Sequence, residues 1–349
     1  MEKKLIGMIG YFATGLSKAG GQEAKTCSIA AELDAIYGSK NVIKVDTLNW
    51  KRKPFQLLGK LLYVGFRCKN VIILPAQKSV KIFTPILTFV RLFSKCKIHY
   101  MVVGGWLPTM IKGNLLLSRI VQKIDYIYVE TSSMKRELEE QGFKNIVLFP
   151  NFKHIKPISE SELKSNYSEP YKWCFFARIE RKKGVSDIVE TILNLNAKYG
   201  RNVFLLDIYG AIQKGEEEWF ENLKHRFGNA IAYKGVVEPN ASVDVIKDYF
   251  GLLFPTHYRT EGIPGTIIDA YSAGIPVISA RWDNCSDILD EGITGYGYEI
   301  GNKEELIQCM EKVLNDTDAF ISMKRNCIRK ALDFAPDNII KKLVVNIAK

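Results

Sequence analysis

Glu261 heads the stretch "EGIPGTIIDAYSAG", a turn rich in Gly and Pro that runs into an apolar helix carrying Asp269 eight positions later. Gly262 and Gly265 let the backbone approach a ligand closely, and Pro264 loses nothing at a helix start, where its missing N–H has no partner anyway. The first amides of such a helix, with the positive end of its dipole, favour phosphate. Glu261 then lies at the polar end of the ligand. Asp269, one turn further on, is placed to accept hydrogen bonds from a diol such as ribose. By itself the stretch also fits a capped helix with two solvated acids. A second stretch, "FFARIERKKGV", sets Arg178 and Lys183 in a loop that ends at Gly184. Two permanent cations beside a helix start suit a diphosphate, whose negative charge grows as it departs.

The four histidines, at 99, 154, 225 and 257, show no ligand spacing, and no Asp-x-Asp stands in a strand-end loop. No metal and no cofactor are therefore expected. His99, at the start of "KIHYMVVGGWLP", and His257, in "THYRTEG", are two further candidates for ligand contact. For each, the plainer reading is a satisfied strand histidine or a loop filler.

These residues need a scaffold that brings separate loops to one edge. The 349 residues suit two domains, and 47% apolar with 25% charged residues excludes disorder and low-complexity classes. Short apolar strands such as "LIGMIGY", "NVIILP", "DYIYVE" and "NVFLLDIYG" alternate with helical patterns. Strands without polar alternation, separated by helices, imply parallel sheets covered on both faces. The fold class is α/β, with two doubly wound units of six and five strands, and ligands of such sheets sit beyond the carboxyl ends of the strands. The polar stretch "NFKHIKPISESELKSNYSEPY" holds the boundary. Residues 1–152 form a first domain and 153–333 a second; 334–349 is a helix expected to return to the first. The tail from about Lys303 reads as helical throughout.

The ordered run "FARIERKKGV", "LLDIYG", "YKGVV", "LLFPTHYRTEGIPGTIIDAYSAGIPVI" resembles the second domain of retaining GT-B glycosyltransferases of family four, over about residues 172–315. The first half is similar more weakly, through "GGQEAKT" and "VLFPN", and together these suggest a bacterial surface-polysaccharide type. The resemblance implies two Rossmann-like domains facing a cleft. It also implies transfer of a hexosyl unit from a nucleotide diphosphate sugar, expected to be a UDP-sugar, to a glycan or lipid-linked acceptor. Arg178 and Lys183 would hold the diphosphate. Glu261 and the amides of Gly262, Ile263, Gly265 and Thr266 would face the sugar and phosphates. Asp269 stands where the family usually has a Glu for the ribose, shorter by one methylene, and Pro264 replaces the commoner Gly. Gly210, Gly235, Val236 and Val237 would border the base, with Gly20 and Gly21 approaching the phosphates from the first domain. The leaving phosphate and the acceptor hydroxyl would share one face of the sugar, with no carboxylate nucleophile.

The net charge of +11 is unevenly spread: from Lys44 to Ile98 there are twelve Lys and Arg and one acid, Asp46. With the apolar residues of "NWKRKPFQLLGKLLYVGFRCKN", this stretch fits a helix in the interface of an anionic membrane. It also fits a core-packing helix with solvated Lys heads. No nucleic-acid motif occurs, and none is expected as a partner. No run is long and apolar enough to span a bilayer. The start "MEKKLIGMIGYF" is taken as a first strand rather than a signal peptide. Seven scattered cysteines without a CxxC pair suit reduced thiols, so the expected location is cytoplasmic, peripheral on the inner face of the membrane. Three rivals remain at this point: a nucleotide-sugar epimerase, a non-catalytic binder of the same fold, and a dehydrogenase. The last lacks the Gly-x-Gly-x-x-Gly fingerprint after the first strand.

Overall fold

The computed structural model describes residues 4–13 and 21–349. The chain divides into two compact units, Met1–Phe152 with Pro336–Lys349, and Lys153–Ala335.

In the first unit the order is β1 (Lys4–Gly10), α1 (Gly21–Tyr37), β2 (Val42–Asp46), α2 (Pro54–Arg67), β3 (Cys68–Ile73), α3 (Val80–Ser94), β4 (Lys97–Met101), α4 (Leu107–Lys112), α5 (Leu115–Val121), β5 (Tyr126–Val129), α6 (Ser132–Glu140) and β6 (Ile146–Leu148). The strands pair in parallel in the order β2-β1-β3-β4-β5-β6. Successive residues of a strand point to opposite faces, and here both faces are dry. Val71 and Ile73 pack under α2 and α3, through Leu61, Val64, Phe83 and Leu87. Ile72 packs on the other face with Ile29 and Leu33 of α1.

The second unit runs β7 (Tyr171–Phe176), α7 (Val185–Lys198), β8 (Phe204–Tyr209), α8 (Glu217–Lys224), β9 (Ile231–Gly235), α9 (Ser242–Ile246), β10 (Gly251–Phe254), α10 (Gly265–Ser272), β11 (Val277–Arg281), β12 (Gly295–Glu299), α11 (Lys303–Asn315) and α12 (Thr317–Ala331). Its sheet is also parallel, in the order β12-β11-β10-β7-β8-β9. It has six strands, one more than the sequence pattern indicates. The sixth, "GYGYE", hides because glycine weakens any strand signal, yet glycine is needed there: a Cβ on Gly295 would lie 1.9 Å from the Val277 carbonyl oxygen.

The C-terminal tail is three helices rather than one continuous run. Asp316 caps α12 by accepting a bond from the Ala319 N–H, and a break over 332–335 precedes Pro336, which opens α13 (Pro336–Ala348). Ile339, Ile340, Leu343 and Ile347 of α13 pack with Ile6, Met8 and Ile72 of the first unit.

Candidate active site

The carboxyl ends of β7, β8, β9 and β10 open on one edge of the second sheet, and the loops leaving them are stitched together through the backbone. The Ile179 N–H donates to the Ala211 carbonyl and the Gln213 N–H to the Ile179 carbonyl, both at 2.9 Å. The Gly210 N–H donates to Gly235 O, and the His257 N–H to Lys182 O, both at 2.8 Å. The loop after β7, the turn after β8 and the loop after β10 therefore form one backbone-bonded surface.

Two glycines make that approach feasible. Gly184 sits at φ +74°, between the turn Arg181–Lys183 and α7, and a Cβ there would lie 1.9 Å from Pro255 O. Gly210, at φ +144°, would place a Cβ 1.8 Å from Ala177 O. Any side chain at either position would push the loops apart.

On this surface Lys183 and Glu261 meet. The Lys183 ammonium is ion-paired with Glu261 Oε1, which also accepts a bond from the Thr256 hydroxyl at 3.0 Å. Both side chains are about one-sixth exposed, at 18% and 17%. The Lys183 ammonium also lies 5.0 Å from the Tyr258 ring centre. Asn284 Nδ2 donates to the Glu261 carbonyl at 2.8 Å, holding the backbone of the turn. Tyr258 donates to Glu180 at 3.2 Å, and burial together with that carboxylate pushes its phenol up to about 12. Arg178 is exposed beside them, its Nη1 donating to Gln213 Oε1 at 3.2 Å.

Helix α10 starts at Gly265, with Pro264 as its cap residue. The amides of Gly265 and Thr266 precede the first bond of the helix, from the Ile267 N–H to Pro264 O at 3.1 Å. The Thr266 hydroxyl is used locally, donating to Phe176 O. Gly262 is buried, and the Ile263 side chain belongs to the core at 4% exposure. Gly235 ends β9, with Val236 67% exposed and Val237 half-buried beyond it.

Asp269 lies differently from the diol-binding carboxylate expected of it. It is 2% exposed, and both its oxygens are taken by Lys153 Nζ, at 2.5 and 2.6 Å. Burial raises its pKa, opposed by the charge of Lys153 and by hydrogen bonds from Lys153 and Ser242. A ribose contact at this carboxylate requires Lys153 to give way or to share it. His257 is turned toward the first turn of α7, its Nε2 in hydrogen-bond contact with Asp187 Oδ2 at 2.6 Å. That contact pins the β10 loop to the helix following Lys183.

In the first unit, Gly21 begins α1 and is exposed, while Gly20 lies outside the described residues. His99 is a correction to its candidacy for ligand contact. It is fully buried in β4, with Nδ1 3.0 Å from Tyr128 Oη and Nε2 3.0 Å from Asn70 Oδ1. A ring with both nitrogens engaged inside the sheet has nothing left to offer a sugar. Lys153, Thr256, Asp187 and Asn284 escape the sequence reading. Thr256 and Asp187 lie beside the two quoted motifs, but Asn284 and Lys153 carry no local signal.

The family model for glycosyl transferases group 1 matches residues 159–333, half of the chain and all of the loops just described. The chain belongs to the group 1 glycosyl transferases. The chain is 20% identical over 209 residues to the uncharacterized glycosyltransferase MJ1069 of Methanocaldococcus jannaschii, covering 57% of this chain and 52% of that one. It is 24% identical over 179 residues to the capsular polysaccharide biosynthesis glycosyltransferase CapM of Staphylococcus aureus, covering 50% and 45%. It thus spans about half the length of each of these relatives. Among solved structures it is similar to Anabaena Alr3699/HepE in complex with UDP, at a TM-score of 0.76 and 13% identity over the whole of both chains. Two six-stranded parallel sheets with flanking helices are the GT-B fold.

Proposed function

We propose that this glycosyltransferase moves a hexosyl unit from a UDP-sugar to a glycan or lipid-linked acceptor in bacterial surface-polysaccharide synthesis. In this reading it is a metal-independent, retaining enzyme of family four, working at the cytoplasmic face of a membrane. One observation carries the reading: the ion pair of Lys183 and Glu261 sits at the head of α10, on the same backbone-bonded edge as Arg178. Lys183 and Arg178 supply the cations that a departing diphosphate needs, and the amides of Gly265 and Thr266 add fixed donors. Glu261 holds Lys183 until the diphosphate competes for it, and is then free to bond the donor sugar. Gly210, Gly235, Val236 and Val237 border the base. Lys153 shares Asp269 with the ribose. CapM supports the polysaccharide setting and the HepE complex supports UDP as the nucleotide.

A thermal-shift series with UDP, GDP, ADP, CMP and NAD tests the donor site, because a ligand that binds only the folded state raises its melting temperature. UDP is expected to stabilise the wild type and to lose most of that effect in Lys183→Ala. No response to any nucleoside diphosphate, or an undiminished response in Lys183→Ala, contradicts the reading. Release of UDP from a UDP-sugar only when acceptor is present separates transfer from epimerisation.

A further inference from the structure

We infer that the outward face of the α2, α3 and α5 layer is the surface by which this enzyme docks on an anionic lipid bilayer. The inference extends the proposed membrane-side setting by naming the surface and the lipid chemistry, and it stands on the first unit alone. Among the described residues, eleven of the sixteen exposed large apolar side chains belong to these three helices. Each helix already has a buried face. Helix α2 buries Leu57, Leu61 and Val64 against the sheet and turns Phe55, Leu62 and Phe66 outward, at 85%, 37% and 48% exposure. Helix α3 buries Phe83, Leu87 and Val90, and exposes Phe89, Leu92 and Phe93 by 62–72%. The rings of Phe89 and Phe93 pack edge to face at 5.4 Å, forming an apolar ridge in the open. Helix α5 buries Leu117 and Val121 while Leu115 and Leu116 are more than 70% exposed.

The three helices lie side by side, α2 against α3 and α3 against α5, on one face of the sheet, so their outer sides form one layer. The same layer is free of acid: no Asp or Glu occurs between Asp46 and Asp125. Lys51, Lys53, Lys60, Lys81, Lys95 and Lys112 are exposed around it. Aromatic and Leu side chains that reach the acyl boundary, ringed by cations at headgroup level, are the makeup of a helix surface that lies in an anionic interface. With no acid in the three helices this surface carries net positive charge, which a continuous layer of anionic headgroups neutralises. Single-stranded nucleic acid stacks its bases on aromatic faces, whereas Leu62, Leu92, Leu115 and Leu116 make half of the row named here aliphatic. No described helix is long and apolar enough to cross a membrane; the docking inferred here is by the helix faces alone.

Vesicle flotation tests the inference. The full chain is mixed with vesicles of phosphatidylcholine alone, or of phosphatidylcholine and phosphatidylglycerol in equal parts, at low and high salt. The wild type is expected to float with the anionic vesicles and to be released by salt. The variant Phe89→Ser/Leu92→Ser/Phe93→Ser should lower the bound fraction at least about tenfold, because it removes the inserting ridge. Lys60→Glu/Lys81→Glu should weaken binding to anionic vesicles only. Both variants lie outside the donor site, so their melting temperature and UDP response verify folding and report the donor reading separately. Equal binding to both vesicle types, or binding unchanged in the Ser variant, overturns the inference. So does a wild-type dimer without lipid that the Ser variant dissociates, since the face is then a self-interface. Retention on RNA at the same salt, lost in the Lys variant alone, overturns it as well.

Discussion

Protonation of His99 offers a direct test of the interior of the first unit. Its ring is completely buried, bonded to Tyr128 and Asn70, and the network continues to α13: Asn346 donates to Tyr128 Oη at 3.3 Å, and Asn70 to the Ile347 carbonyl at 3.4 Å. Burial, with the nearby charge of Lys97, lowers its pKa from 6.5 to about 3. A depressed folded value means that the neutral ring contributes stability above the unfolded value of 6.5, and that this contribution is lost as the pH falls from there towards 3. Between pH 7 and 5 the unfolded histidine takes up its proton and the folded one does not. At roughly 1.4 kcal/mol per pH unit below the unfolded value, this costs the fold about 2 kcal/mol. Other groups titrate over the same range, so the comparison is with His99→Gln, whose amide keeps one donor and one acceptor. Urea unfolding at both pH values should show the wild type losing about 2 kcal/mol more than the variant. At pH 7 the variant should keep the donor affinity of the wild type, because the ring meets no ligand. Equal losses in the two proteins would refute the argument that the ring is held neutral by burial.

Gly184→Ala should cost about 2–3 kcal/mol and weaken the UDP response, since the new Cβ collides with Pro255 O and displaces Lys183; denaturant melts and the thermal-shift series check this. Lys153→Met leaves the buried Asp269 carboxylate without its cation, and should cost about 3 kcal/mol at pH 8. Because burial already raises that pKa, and Lys153 is what opposes the rise, the loss should shrink as the pH falls and the carboxyl protonates. Melting temperatures of variant and wild type at pH 8 and 5 read this directly, and a deficit that grows on acidification would contradict it. These join the UDP and Lys183→Ala series and the vesicle experiment as tests of separate parts of the molecule.

The α/β class was legible because a strand buried on both faces must be apolar along its whole length, and a covering helix must repeat near 3.6 residues. Both patterns are local. The strand "GYGYE" was not legible, because it exists only through the close approach of Gly295 to Val277 on its neighbour. The glycines, cations and acids that line the second sheet edge could be picked out from the loops that follow apolar strands. What they touch could not. Asp269 looked like a free acceptor one helical turn from Gly265, but its cation, Lys153, comes from 116 residues away. His99 looked like a candidate near a glycine loop, until the sheet register set it beside Tyr126 and under Tyr128. In α2 and α3, apolar residues occupy both sides of the helix, so sequence alone determined that the region is apolar and basic. Only packing against the sheet decided which row is core and which faces out. Periodicity records a residue's place within its own element, whereas burial and pairing depend on distant segments that the fold alone brings into contact.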